Sequence, residues 1–140
     1  MRKLTSLLGT LGATGIVAIG CSMTANAQAD ADAELLAALM EEGDEVFHSV
    51  GCSGCHGNNG EGGNGPSFVG NTYLERAGAV IAQILFPDTE HGTMPAFTHL
   101  SNREISAVAT YIRNSWGNGY GIARESSVEF QRNAVGGGAE

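Results

Sequence analysis

The sequence predicts an all-α protein of one domain, with about three main helices. Residues 34–50, 72–86 and 101–116 repeat apolar side chains at steps of three and four, which is the period of a helix with one buried face. Two of these stretches open with a Ser/Thr-x-x-Glu capping box, Thr72–Glu75 and Ser101–Glu104. The 140 residues are the right length for a single domain.

The first helix is expected from Glu34 to about Val50. A short polar lead, residues 28–33, precedes it and can cap the helix through Asp30 or Asp32. The apolar positions that recur along this helix are Leu35, Leu36, Leu39, Gly43, Val46, Phe47 and Val50. Acidic residues fall between these positions, so we expect the acidic side chains in solvent.

The second and third helices are predicted from their capping boxes onward. The buried stripe of the second helix is Leu74, Ala77, Ile81 and Leu85, and Pro87 ends it. The buried positions of the third helix are Ile105, Val108, Ile112 and Trp116. Leu100 and Ile105 are spaced as a hydrophobic staple, and Gly117 is a natural stop after the helix.

The N-terminal residues have the pattern of a secretory signal. Arg2 and Lys3 give a positive start, residues 7–19 are apolar, and Ala25-Asn26-Ala27 is a small-x-small cleavage site. We therefore expect a signal peptide over residues 1–27 and export of the chain.

Two alternatives for this segment stay open. Residues 4–23 carry no charge and are long enough to span a bilayer, so the segment could be retained as an inner-membrane anchor facing the periplasm. Its many Gly, Ser and Thr residues make it a poor anchor. The other alternative is a lipoprotein cleaved before Cys21, for which Ala18-Ile19-Gly20 is a weak match.

After the predicted signal peptide, the chain has two parts that differ in their sequence pattern. Residues 28–120 hold the helical patterns and form the predicted domain. Residues 121–140 have few apolar side chains and end in a run of glycines, so we expect a flexible C-terminal tail.

The charge of the exported chain is strongly negative. The signal segment contains two of the 7 basic residues and none of the 15 acidic ones, so its removal changes the net charge from −8 to −10. It also removes Lys3, the one lysine of the sequence. A nucleic-acid partner would need a basic patch, so this class of partner is disfavoured. The acidic surface favours either solubility or electrostatic steering towards a basic partner.

The residues Cys52-Ser53-Gly54-Cys55-His56 form a C-x-x-C-H motif. Two cysteines three positions apart can each add to a vinyl group of one porphyrin and form two thioethers. The adjacent histidine can then ligate the iron. The motif therefore predicts one covalently bound haem c, attached through Cys52 and Cys55, with His56 as an axial ligand.

Two other interpretations of the motif fit less well. A thioredoxin-like C-x-x-C needs a helix opening after it, whereas five of the nine residues from Gly57 to Gly65 are glycine. A structural zinc site needs four ligands, and the chain after the signal segment has no third cysteine.

The chain resembles a class I cytochrome c. The resemblance rests on the C-x-x-C-H motif, on GPSF at residues 65–68, on GTMPAF at residues 92–97, and on the last predicted helix with its cap, LSNREISAVATYIRNSW at residues 100–116. It implies the cytochrome c fold, with its helices wrapped around one haem. It also implies that the Pro66 carbonyl accepts a hydrogen bond from Nδ1–H of His56, and that Gly43 and Phe47 lie where the first and last helices cross.

The resemblance implies a methionine as the sixth iron ligand, and Met94 is the candidate. It lies in a loop, precedes Pro95, and follows His56 by 38 residues. His91 and His99 flank it and are the alternative ligands. His48 is expected on the surface. Phe68 and Val69 are expected to pack on the haem, and Arg76 to be an exposed arginine.

Histidine and methionine ligands together saturate the iron and leave no open position for a substrate. We therefore expect an electron-transfer protein and not an enzyme. Residues 109–118, ATYIRNSWGN, resemble the haem domains of cytochrome subunits that serve bacterial periplasmic dehydrogenases. This resemblance implies a periplasmic monomer that passes electrons from a dehydrogenase or other donor to a downstream cytochrome or terminal oxidase. It would contact the membrane only through these partners. Two alternatives stay open: a haem sensor or peroxidase in which Met94 dissociates, and a fixed electron-entry subunit of a dehydrogenase.

Overall fold

The computed structural model describes residues 20–88 and 93–136, and this part of the chain is helical, with no β-strand. The α-helices are α1 Gly20–Ser49, α2 Cys52–His56, α3 Ala77–Leu85, α4 Asn102–Asn114 and α5 Glu125–Gly136. A 3₁₀ turn, Thr72–Glu75, precedes α3. The predicted all-α class is therefore confirmed. Within the described ranges, no helix has the length and apolar character that crossing a membrane requires.

Helix α1 begins earlier than the sequence pattern predicts. The expected start was Glu34 after a polar lead, but residues 28–33 are already helical. Alanine alternates with polar residues there and neither glycine nor proline interrupts them, so the segment has a high helix propensity. Asp32 consequently caps no helix, and its carboxylate accepts a hydrogen bond from Arg124 at 2.8 Å instead. Most of the predicted signal segment lies outside the described residues.

Helices α1 and α4 cross where Gly43 meets Ala107 and Tyr111. A Cβ atom on Gly43 would lie 2.6 Å from Tyr111 Cβ and closer still to the carbonyl oxygen of Ala107. Phe47, one turn later on α1, is fully buried. The two residues that the resemblance assigned to the helix crossing therefore lie there. The absence of a side chain at Gly43 sets how closely the two helices approach.

The second predicted helix starts later than its capping box suggests. Asn71 caps the chain first, because its Oδ1 accepts a hydrogen bond from Tyr73 N at 3.0 Å. Asparagine is a stronger N-cap than threonine, and a cap at Asn71 moves Glu75 out of the reciprocal position. The result is the 3₁₀ turn, after which α3 begins at Ala77 and ends before Pro87. Leu74, Ile81 and Leu85 are buried as predicted.

The start of α4 agrees with its predicted capping box. The Ser101 hydroxyl accepts from Glu104 N at 3.2 Å, and Glu104 Oε2 accepts from Ser101 N at 2.8 Å. Leu100 and Ile105 are both buried in the same cluster, as the staple requires. The helix ends at Asn114 and not at Trp116.

Trp116 lies in the left-handed region with φ 54°, followed by Gly117 at φ 86°. This conformation costs a non-glycine residue roughly 1–2 kcal/mol. The indole ring compensates by packing against Phe47 at 5.4 Å and Tyr111 at 5.3 Å between ring centroids. Tertiary packing of the ring therefore ends the helix two residues early.

Arg113 of α4 is buried, with 4% of its surface exposed. Its guanidinium donates to the carbonyl oxygens of Leu74 (2.8 Å), Glu75 (3.2 Å), Tyr120 and Gly121. Burial lowers the pKa of Arg113, and these four acceptors supply the hydrogen bonds that water would give the cation. The side chain joins α4 to the 3₁₀ turn and to the chain leading into α5.

The expected flexible tail at residues 121–140 is wrong for residues 125–136, which form α5. Val128 of this helix is fully buried in the core cluster, and α5 packs against α3 and α4. A stretch with few apolar residues is enough here because the helix needs to cover only the gap beside α3. Gly78 of α3 permits close packing, since a Cβ there would lie 3.3 Å from Gln131 Nε2.

Replacing Gly43 with alanine should destabilise the protein by about 1–3 kcal/mol or more, because the added methyl group overpacks the helix crossing. Chemical denaturation of the haem-loaded protein measures this change. Gly119→Ala is the matched control, since nothing lies within 4 Å of a Cβ at that position. Equal unfolding midpoints for the two variants would show that the crossing tolerates a wider separation.

Candidate functional site

Gly51 turns the chain from α1 into the C-x-x-C-H motif. Its φ of 87° lies in the left-handed region that favours glycine. The motif then forms α2, a single helical turn. Positions three and four residues apart are neighbours on a helix surface, so Cys52, Cys55 and His56 are grouped at one site.

The two cysteines are free thiols in different environments. Cys55 is exposed and Cys52 is half-buried. Burial raises the pKa of the Cys52 thiol to about 11. Because the thiolate is the reactive form, Cys52 is a weak nucleophile once the chain has folded around it.

His56 is buried, and its orientation is fixed by a hydrogen bond. Its Nδ1 lies 2.9 Å from the carbonyl oxygen of Pro66. A carbonyl can only accept, so Nδ1 carries the proton and Nε2 keeps a lone pair that can bind a metal. This is the contact that the sequence resemblance implied for these two residues.

Gly65 lies directly against the His56 ring. A Cβ atom at this position would be 2.7 Å from Cε1 and 2.8 Å from Nδ1 of the imidazole. The Gly65 backbone N–H donates to the carbonyl oxygen of Cys55 at 2.9 Å, which ties the glycine-rich loop back onto the motif. The loop thus forms a cradle for the imidazole that only glycine can complete.

Phe68 also packs against the imidazole. Its ring stacks on His56 with centroids 4.3 Å apart and an interplanar angle of 18°. Trp116 lies beyond Phe68, nearly parallel to it at 6.0 Å. Asn118 Nδ2 donates to the Phe68 carbonyl at 2.8 Å, and Asn118 Oδ1 is buried without a hydrogen-bond partner. The segment that follows α4 therefore supports Phe68, and Phe68 in turn supports the ring of His56.

Met94 and His56 line the same apolar pocket. Met94 is half-buried and packs against the core cluster. Its loop is fixed to α3 by a hydrogen bond from Phe97 N to the Ile84 carbonyl at 3.0 Å. The residues around the pocket are Phe47, Val50, Cys52, His56, Phe68, Ile84, Met94, Phe97, Leu100, Val108 and Ile112.

The remaining histidines lie elsewhere or cannot be placed. His48 is exposed, and its Nδ1 is 3.2 Å from Asp44 Oδ1, in agreement with the expected surface position. His99 is exposed, and the pocket lining given above includes Met94 but not His99. His91 lies outside the described residues. Val69, expected against the haem, is 54% exposed and does not belong to that lining.

The pocket residues fit a covalently attached haem. One thiol, one imidazole with a free Nε2 and one thioether border a pocket whose other lining residues are all apolar. Such a pocket excludes water from a macrocycle, and its two potential ligands, His56 and Met94, are the pair used by cytochromes c. Cys55, the second cysteine of the motif, is exposed and is not among the residues that line the pocket.

A model of one protein family matches residues 38–112, more than half of the chain, and is described as subunit III of cbb3-type cytochrome c oxidase. The chain belongs to this cytochrome c family. The match includes the C-x-x-C-H motif, Pro66, Met94 and most of α4, and it ends before α5. No curated protein matches the chain. Family membership implies a c-type haem and supports electron transfer through it.

Several residues that support the site were not found from the sequence. The contact of Gly65 with His56 was hidden among other glycines, and Asn118 lies in a segment without a recognisable pattern. The GP pair at residues 65–66, next to an implied hydrogen bond, could have indicated Gly65. Asn118 acts through the Phe68 carbonyl oxygen, and a contact with the backbone leaves no signal in the sequence.

Replacing Gly65 with alanine should displace the imidazole and weaken its bond to iron, because the methyl group would overlap the ring. The expected result is a larger fraction of high-spin haem in the absorbance spectrum of the oxidised protein. Gly119→Ala serves again as the control. A Gly65→Ala spectrum identical to that of the wild type would mean that the ring does not rely on this cradle.

Proposed function

We propose that this protein is a periplasmic one-electron carrier, with one haem attached through Cys52 and Cys55 and ligated by His56 and Met94. The observation that carries the proposal is that Cys52, His56 and Met94 border one apolar pocket. Family membership supports haem-based electron transfer.

The bound haem supplies a one-electron change between iron(III) and iron(II). The chain contributes two conditions that favour the reduced form. A thioether ligand stabilises iron(II) more than a second imidazole does, and an apolar pocket disfavours the extra positive charge of iron(III). The hydrogen bond from His56 to Pro66 fixes one ring orientation, so little rearrangement accompanies the change of oxidation state.

The charge of the chain supports a basic redox partner. Glu41, Asp44 and Glu45 are exposed on α1, and no lysine follows residue 3. A negative face of this kind attracts a positive one during encounter and loses that attraction as salt is added. We propose a periplasmic dehydrogenase as electron donor and a further cytochrome or a terminal oxidase as acceptor. Export would use the predicted signal segment at residues 1–27.

Replacing Met94 with alanine tests the ligand pair. The oxidised wild-type protein should have a weak absorbance band at the red edge of the visible range, which arises from iron–thioether bonding. Met94→Ala should abolish this band, lower the reduction potential, and allow carbon monoxide to bind to the reduced protein. The haem should stay with the polypeptide in acid–acetone, because the thioether bonds are unchanged.

Two results would contradict this assignment. If Met94→Ala leaves the spectrum and potential unchanged, the sixth ligand is another residue, and His91→Ala and His99→Ala then identify it. If the reduced wild-type protein already binds carbon monoxide readily, the sixth position is open and the sensor or peroxidase alternative is correct. Haem that is extracted from the wild-type protein by acid–acetone would exclude covalent attachment altogether.

A fixed subunit of a larger enzyme is the second candidate, because the matching family model is described as an oxidase subunit. The same site would then pass electrons within one complex and not by diffusion. Purification of the native protein from its source under mild conditions distinguishes the soluble carrier from the fixed subunit. A soluble carrier elutes as a monomer, whereas a fixed subunit elutes with its enzyme at a constant ratio.

A further inference from the structure

We propose that Arg132 of α5 is a positioning residue that holds the Met94 loop against the haem pocket. The inference rests on the proposed ligation by Met94. Helix α5 lies outside the family match, which ends at residue 112, so it adds a contact to the pocket that the matched region does not contain.

Arg132 makes three hydrogen bonds around the end of the loop. Its guanidinium donates to the carbonyl oxygens of Thr98 at 3.0 Å and Leu100 at 2.5 Å, and to Asn102 Oδ1 at 2.8 Å. The three acceptors lie within five consecutive residues, where the loop enters α4. The planar guanidinium can span them with its fixed fork of donors.

The loop end held by Arg132 also forms part of the pocket. Leu100 is 7% exposed and lines the pocket together with Phe97 and Met94. Phe97 N donates to the Ile84 carbonyl, and Leu100 N donates to the Phe97 carbonyl at 3.3 Å. The segment from Met94 to Leu100 is thus anchored by α3 on one side and by Arg132 on the other. Loss of the α3 anchor frees the backbone three residues after Met94, and loss of the Arg132 anchor frees it four residues after Met94.

Helix α5 is itself held in place, so it can act as a support. Val128 is buried in the core, and Gln131 packs over Gly78 of α3. At the start of α5, Arg103 lies 3.7 Å from Glu125, and the preceding Arg124 lies 2.8 Å from Asp32 of α1. Because these anchors do not involve the Met94 loop, removal of the Arg132 guanidinium should release the loop and leave the helix packed.

The consequence is a larger fraction of molecules in which Met94 has left the iron. An external ligand binds only to this fraction, so its apparent affinity rises in proportion to the fraction. Loss of one hydrogen bond from a charged donor corresponds to a change of about tenfold. Arg132→Gln should therefore increase the affinity of the oxidised protein for imidazole by about tenfold or more.

The experiment uses the full haem-loaded protein and four variants. Arg132→Gln removes the charged fork, Arg132→Lys keeps the charge without the fork, and Arg124→Gln is the matched control that removes an exposed ion pair. Met94→Ala gives the limit of an open site. Imidazole affinity, the iron–thioether band and the reduction potential are measured for each. Hydrogen exchange of residues 93–101 and circular dichroism report on the loop and on the folding of the helices.

The expected order of imidazole affinity is wild type and Arg124→Gln lowest, then Arg132→Lys, Arg132→Gln and Met94→Ala. Faster hydrogen exchange in residues 93–101, with unchanged circular dichroism, should accompany the two Arg132 variants. If Arg132→Gln loses helical structure, Arg132→Lys and its loop exchange decide the question.

Two different failures can be told apart. Wild-type affinity and loop exchange in both Arg132 variants, beside a large effect of Met94→Ala, would overturn the role of Arg132 alone. No effect of Met94→Ala on the band or on imidazole binding would overturn the proposed ligation itself. An equal effect of Arg124→Gln and Arg132→Gln would show that general loosening of α5, and not the Arg132 fork, controls the loop.

Discussion

The close approach of α1 and α4 at Gly43 is the constraint on which the rest of the structure depends. It places the buried Phe47 of α1 beside Val108 and Ile112 of α4, and all three residues line the haem pocket. Phe47 and Tyr111 then form the surface on which Trp116 packs, and Trp116 backs the Phe68 ring that stacks on His56. A close contact between α1 and α4 thus supports, through a series of packed rings, the position of the His56 imidazole. Burial and the hydrogen bond with Asp44 raise the pKa of Tyr111 to about 12, so this support stays neutral at any physiological pH.

The parts that the sequence predicted well are those that depend on local chemistry. The Ser101–Glu104 capping box, the end of α3 before Pro87 and the apolar stripe at Ile81 and Leu85 all follow from interactions within one helix. The hydrogen bond of His56 with Pro66 and the helix crossing at Gly43 were predicted from the family resemblance and not from the helix pattern.

The parts that the sequence predicted poorly depend on distant contacts. Asn71 caps the 3₁₀ turn in place of the predicted capping box at Thr72. Trp116 is not helical because its indole packs against three aromatic rings. Helix α5 was taken for a tail because its own pattern is weakly amphipathic. Its stability comes from Val128 in a gap beside α3 and from carbonyl oxygens that Arg132 reaches across some 30 residues. Helices of this length are marginal without such tertiary contacts.

The use of arginine explains why the exported chain would have so negative a surface. Arg113 and Arg132 donate to backbone carbonyls, Arg103 and Arg124 pair with carboxylates, and Arg76 lies 5.1 Å from the Tyr73 ring centroid. Five arginines follow the predicted signal segment, and each of them is engaged within the fold. Acidic side chains such as Glu41 and Glu45 remain exposed on α1. The arginines therefore serve the interior contacts of the fold, while acidic side chains dominate the exposed surface of α1. Replacing Glu42 or Asp32, the carboxylate partners of Arg103 and Arg124, would alter both properties, since it would remove an ion pair within the fold and one negative charge from the surface.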